Sequence, residues 1–328
     1  VLADGPSLTP PVVKALVYLD RAGVQVPGLK DGASRGVAYL AALARPDGTL
    51  DPGPHGWVYP NYTAALGAIA LSASDTSAAS MARPAYVAQL REFQRREALG
   101  WSADDADHGG WGYDLTPPEK PPPGIESPHA NLSATLFALG ALWLAGVPRD
   151  DPAFAAACGF VRRCQNLDTD GGFIASPTFG VLNKAGADPE ARTAHRSYGS
   201  ATADGLRGLI ACGDSRDTSA VQAARGWLLE RFQPHRHPGD FAPEREALRE
   251  SYYYYYAWSA SHGLDRAGVS PRHWAAPLIT AIAARQDPDG AFRNPFTDGR
   301  EDDPLVATSL ALGALANARA AMAPSRVR

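Results

Sequence analysis

Ser251 to Leu264 reads SYYYYYAWSASHGL, and the five consecutive tyrosines, Tyr252 to Tyr256, force a choice of structure. In a strand, Tyr252, Tyr254 and Tyr256 share one face. In a helix each residue advances by about 100°, so five successive rings point all the way round. A surface helix carries a single apolar stripe, whereas one that is aromatic on every side is enclosed on every side. The small-residue run that follows ends in Gly263, which suits a glycine stop. The stretch is read as a helix surrounded by neighbours.

The rest of the chain supplies them. Turn-like strings recur: RPDGTLDPG at Arg45, HGGWGYD at His108, DTDGGFIASP at Asp168 and DPDGAFRNP at Asp287. The first three are spaced by about sixty residues, the period of a supersecondary unit with a long connection. Helices with charged faces precede most of these turns: AYVAQLREFQRRE from Ala85, FAAACGFVRRCQ from Phe154 and WAAPLITAIAARQ from Trp274; AVQAARGWLLERF from Ala220 is another of this kind. Almost uncharged helices follow them: NYTAALGAIAL from Asn61, NLSATLFALGAL from Asn131, SATADGLRGLIA from Ser200, the Tyr helix, and DPLVATSLALGAL from Asp303. Asn61, Asn131, Ser251 and Asp303 stand as their caps, with Pro304 in the last one's first turn. Val12–Leu19 and Gly36–Leu43 supply a further pair. Alternation of one-sided and all-round apolar helices predicts two concentric rings, an all-α (α/α)6-type toroid. Residues 1–328 are read as one domain, with a Pro-rich loop near 115–128.

The chain of 328 residues is 45% hydrophobic and 20% charged, enough apolar surface for a large core. A net charge of −4 points away from a nucleic-acid partner. Cys158, Cys164 and Cys212 lack metal-ligand spacing, fix no compartment, and read as buried thiols. The longest apolar run, Leu132–Val147, is short for a membrane span and reads as a core helix. The sequence starts at Val1, so cytoplasmic and exported locations both stay open, as do peripheral membrane contact and oligomeric state.

The turns that join a helix-ending Gln to a buried aromatic carry a resemblance. Gln94 precedes GGWGYD, Gln165 precedes DGGF and Gln286 precedes DGAF. In this the chain resembles the terpene cyclase–prenyltransferase superfamily, specifically squalene–hopene cyclase-like proteins with prenyltransferase/squalene oxidase repeats, in a compact single-toroid form. The resemblance implies an aromatic-lined barrel that folds a polyprene. It also implies a D-x-D-D acid at the start of an inner helix, and there this chain has Asn131, Ser133 and Ala134, with Thr135 alone agreeing. No zinc set assembles from Cys212, His195 and His262, and no cofactor is expected.

Either another residue is the alkene-protonating acid, or the chain does not protonate alkenes. Asp204 lies within an apolar inner helix; burial raises its pKa, while Arg207, three residues on, lowers it. Asp303, with Asp302 and Glu301 before it, opens the last inner helix and is either its cap or part of a proton-sharing pair. Asp204, Asp302 and Asp303 are the catalytic candidates. Tyr252, Tyr253, Tyr255, Tyr256, Trp258, Tyr62 and Tyr198 are candidates to steer a cation through their π-faces, with Asn131, Ser133 and Thr135 beside them as ligand-lining residues; about two of the five tyrosines should reach a cavity. Trp111, Phe173 and Phe292 are structural staples. Calcium at DTDGG is discounted because Phe179 stands where the twelfth-position glutamate belongs, and QPHRHPGDF, with His235 and His237, reads as a solvated loop. Arg and Lys do not cluster on the inner helices, which favours a hydrocarbon over a diphosphate. Three functions fit: a terpenoid cyclase, which leads; a non-catalytic isoprenoid- or lipid-binding toroid; and a carbohydrate-active toroid with paired carboxylates.

Overall fold

A computed structural model of the protein describes residues 7–54, 56–125, 129–178, 183–187 and 195–323. Phe179 and the end of the Pro-rich loop, residues 126–128, lie outside them. The described residues form α-helices and isolated bridges but no strands. They fall into two compact units, Val1–Cys164 with Ser176–Phe179, and Gln165–Ala175 with Gly180–Arg328.

The first unit contains α1 (Thr9–Arg21), α2 (Leu29–Ala42), α3 (Pro60–Ser72), α4 (Ser77–Glu92), α5 (Leu132–Leu144) and α6 (Pro152–Arg163). Helices α1 and α2 are the expected N-terminal pair. Helix α3 packs on α1, α4 and α5, and from Thr63 to Leu71 every residue is buried. Helix α6 instead buries one stripe, Phe154, Ala157, Cys158, Phe160 and Val161. Enclosed and one-sided helices thus alternate as their compositions require.

The second unit contains α7 (Gly199–Ala211), α8 (Ser219–Arg231), α9 (Glu246–Ser251), α10 (Tyr253–Arg266), α11 (Ala275–Ala283) and α12 (Pro304–Met322). Every residue of α7 except Ile210 is buried. Helix α10, the Tyr helix, packs between α7 and α12. It does not stop at Gly263 but runs on to Arg266. Gly263 serves close approach instead: a Cβ there would sit 3.2 Å from the Ala203 carbonyl of α7. Helix α12 also departs from expectation. It buries only an alanine stripe, Ala307, Ala311, Ala314 and Ala318, and its other faces are half-buried or exposed.

The Gly-rich turns are held by one repeated device. Gln94 Nε2 donates to the Gly109 carbonyl at 3.0 Å and to the Ala153 carbonyl of α6 at 2.8 Å. Gln165 does the same to Gly171 at 3.1 Å and to Ala220 of α8 at 2.9 Å, and Gln286 donates to Gly290 at 2.8 Å. The turn aromatic then donates its backbone N–H to a threonine hydroxyl of the α-helix that follows the turn. These bonds are Trp111 to Thr135 at 3.0 Å, Phe173 to Thr202 at 3.0 Å and Phe292 to Thr308 at 3.1 Å. All three rings are buried, so each bond satisfies a donor that would otherwise be orphaned away from water.

Two of the four expected caps are elsewhere. Asn131 accepts from Ser133 N and Ala134 N, and Asp303 from Leu305 N. Asn61 falls inside α3, because Pro60 starts that helix one residue earlier, and its amide donates to the Ala134 carbonyl. Ser251 closes α9 and does not open α10. The cysteine reading also needs correction: Cys164 is a free, buried thiol, whereas neither Cys158 nor Cys212 is a free thiol.

Candidate functional site

The polar groups of the second unit converge on Asp204, mid-helix in α7 and buried. The Gly263 contact brings α10 close enough for Tyr255 and Ser259, one turn apart, to reach it. Tyr255 Oη donates to Asp204 Oδ2 at 2.6 Å, and Ser259 Oγ donates to Oδ1. Arg207 is a more distant partner, its Nη1 3.5 Å from Oδ1. Burial raises the Asp204 pKa against the opposing pull of Arg207 and the two hydroxyls. The Arg207 guanidinium lies over Trp258, 4.3 Å from the ring centroid.

Two groups that the sequence reading did not place complete the surroundings. Glu301 is fully buried. Its carboxyl accepts from Tyr254 N at 2.9 Å, Tyr255 N at 2.7 Å and Asn294 Nδ2 at 3.2 Å, so it caps α10 in place of Ser251. Burial pushes its pKa up to about 8 despite those donors. Lys184 is half-buried in the short stretch 183–187, its ammonium 4.3 Å from the Tyr252 centroid and 5.5 Å from that of Tyr198. Burial brings its pKa down to about 8, although Asp204 and Glu301 oppose the shift.

Of the five tyrosines only Tyr252 and Tyr255, one turn apart, retain exposed surface. Tyr253 and Tyr256 are buried, and their hydroxyls donate to the Pro234 and Gln233 carbonyls. They act as packing with a polar anchor. Tyr198 is buried against His237 and Phe241. His237 is not in a solvated loop: it is fully buried, stacks on Tyr256 and accepts from Ser200 N at 2.8 Å, capping α7. Burial beside Lys184 and Arg249 keeps its imidazole neutral.

The remaining candidates lie apart from this cluster. Asp302 is exposed, and Asp303 is taken up as the α12 cap, 2.8 Å from Leu305 N. In the first unit, Asn131 caps α5, and the Thr135 hydroxyl donates to the Asn131 carbonyl while holding Trp111 N. The D-x-D-D position is thus built as scaffold. Ser133 shares a 2.6 Å hydroxyl contact with Tyr62, which stacks on Tyr113.

No family model matches the chain, and no curated protein matches its sequence. Solved structures do match over nearly the whole length. A cellobiose 2-epimerase from Spirochaeta thermophila is 15% identical, covering 96% of this chain and 86% of its own, with a TM-score of 0.61. The type II terpene cyclase MstE from Scytonema is 16% identical, covering 97% and 88%, with a TM-score of 0.51. A Candida albicans protein geranylgeranyltransferase-I complexed with GGPP is 12% identical, covering 92% and 83%, with a TM-score of 0.50. The chain therefore has the (α/α)6 toroid fold that terpene cyclases and prenyltransferases share with a sugar epimerase.

Proposed function

We propose that the protein is a terpenoid cyclase-like isomerase that protonates an isoprenoid alkene through Asp204 and Tyr255. The observation that carries this reading is a carboxyl buried in an enclosed helix, its pKa raised, bonded to the hydroxyl of a half-buried tyrosine. With Asp204 protonated, its Oδ2–H donates to Tyr255 Oη, and the Tyr255 O–H is turned toward the ligand. The alkene π pair takes the Tyr255 proton as Asp204 passes its own to the phenol oxygen. A carbocation and an Asp204 carboxylate result, and the cation's later loss of a proton restores the balance. Ser259 and Arg207 already face Oδ1, so the new charge is stabilised without reorganisation. Asp302 and Asp303 have no part in this step.

The test is turnover. Purified protein is incubated with squalene, oxidosqualene, and farnesyl and geranylgeranyl diphosphates, and extracts are analysed by gas chromatography–mass spectrometry. A cyclised product that disappears in Asp204→Asn and falls at least tenfold in Tyr255→Phe supports the reading. Unchanged substrate recovered bound to the wild-type protein refutes catalysis in favour of the binding reading.

A specific observation favours a second reading. Arg207 covers Trp258 and Lys184 covers Tyr252, so two rings that a carbocation would use are already paired with cations. A polar substrate isomerised by acid–base transfer at Asp204 suits that arrangement, and added sugars in the same assay test it.

A further inference from the structure

Lys184 has no role in the proton transfer above, and its surroundings are unusual for an ammonium. It offers three donors, and it faces two aromatic rings, those of Tyr252 and Tyr198. Partial burial of a charge is costly, and it brings the pKa of this half-buried ammonium down to about 8. The backbone that presents it is firmly tied. Asn183 is fully buried, donates to the Gly186 and Arg196 carbonyls at 2.9 Å each, and accepts from Ala175 N at 3.2 Å. Ala185 is fully buried and its carbonyl accepts from Ala242 N at 3.0 Å. The lysine is thus held in place by its neighbours and is not a mobile surface residue.

Two buried acids, Asp204 and Glu301, act on it. Burial favours the protonated forms of Asp204 and Glu301, and Arg207 adds a second cation to the Asp204 cluster. Two cationic side chains, Lys184 and Arg207, thus stand beside the half-buried Tyr252 and Tyr255.

We propose that Lys184 binds the anionic head group, carboxylate or diphosphate, of a ligand whose apolar body lies against Tyr252 and Tyr255. The head group supplies acceptors for the three ammonium donors, and the two rings set its approach. This rests on the isoprenoid reading above and replaces the neutral hydrocarbon expected from sequence with an amphipathic acid. Inner-helix composition concealed the site, because the lysine comes from a loop.

The experiment compares ligands of one chain length: farnesene, farnesoate and farnesyl diphosphate. Their dissociation constants are measured by quenching of intrinsic fluorescence with wild type, Lys184→Met and Lys184→Arg. Wild type should bind at least one of the two anions ten- to a hundredfold more tightly than farnesene, the scale of one charge-assisted hydrogen bond. Lys184→Met should lose that preference while keeping its affinity for farnesene, and Lys184→Arg should keep part of it. Lys184→Met should melt close to wild type, since methionine keeps the apolar stem against the rings, so misfolding would be recognised. Which anion wins separates a carboxylate from a diphosphate. A head-group preference that survives in Lys184→Met, or farnesene binding as tightly as both anions, overturns the proposal. If no farnesyl compound binds but gluconate or pyrophosphate does in a Lys184-dependent way, the isoprenoid reading fails and the anion site stands.

Discussion

Replacing Gly205 by alanine tests the packing that positions Asp204. The added Cβ would lie 2.2 Å from Phe173 Cδ1, 2.3 Å from Cγ and 2.4 Å from Cε1, whereas carbon–carbon contact needs about 3.5–4.0 Å. The ring cannot retreat, because Phe173 is fully buried and its N–H is held by Thr202 one turn earlier in the same helix. Overpacking costs about 1–3 kcal/mol, and a clash with a whole ring belongs at the upper end. Alanine returns about 1 kcal/mol through helix propensity, leaving a net loss of about 2 kcal/mol. Gly226 is the control. It lies within α8 of the same unit, its added Cβ would meet nothing within 4 Å, and alanine there should stabilise by up to about 1 kcal/mol. For a cooperative unit of this size, Gly205→Ala should melt about 4–8 °C below wild type and Gly226→Ala about 2–4 °C above it. Thermal scans by far-ultraviolet circular dichroism measure both. If Gly205→Ala melts at or above wild type, α7 does not pack on the Phe173 turn as described, and the placement of Asp204 fails with it.

Two further outcomes are expected. The Glu301 pKa is raised from 4.5 to about 8, so between those values the folded protein holds a proton that the unfolded chain has lost. Its contribution to stability is full below about pH 4.5 and is lost as pH rises through about 8; urea midpoints should fall from pH 5 to 8 in wild type and fall less in Glu301→Gln, and equal slopes would refute the assignment. Asp303→Ala should lose about 1 kcal/mol with the α12 cap and leave turnover intact, so loss of product in the folded variant would return Asp303 to the chemistry.

Much of the fold was legible because composition alone sorts the helices. Helices α3, α5, α7 and α10 have little polar face to offer water, and most of their residues are buried. What that reasoning misread depends on neighbours and not on the helix itself. Gly263 reads as a stop from the local sequence, but the approach of Ala203 makes it a contact. Helix α12 has the composition of an enclosed helix, yet it packs against α10 and α11 along one alanine stripe. The threonine clasp escaped notice for a different reason. Its partners are 24, 29 and 16 residues apart at Thr135, Thr202 and Thr308, so connections of unequal length hide a repeat that is regular in space.

The site was legible only in its helical half. Asp204 stood out because a carboxylate in an apolar helix must be paired or protonated, and Arg207 was visible three residues on. Lys184, Glu301 and His237 lie outside the α-helices, where no periodicity reports which way a side chain turns. Of the three adjacent acids at 301–303, the one that matters to the cluster is the first. Chain geometry gives the reason: Asp303 must face the α12 N-terminus to cap it, which leaves Glu301 to turn inward and cap α10. This also changes what the aromatic helix is for. A row of tyrosines suggests free π-faces, but Arg207 and Lys184 already lie over Trp258 and Tyr252. Among the half-buried residues of α10, Tyr255 is the one whose hydroxyl meets the buried acid. In the proposed proton transfer it is therefore its phenol oxygen, more than its ring, that acts.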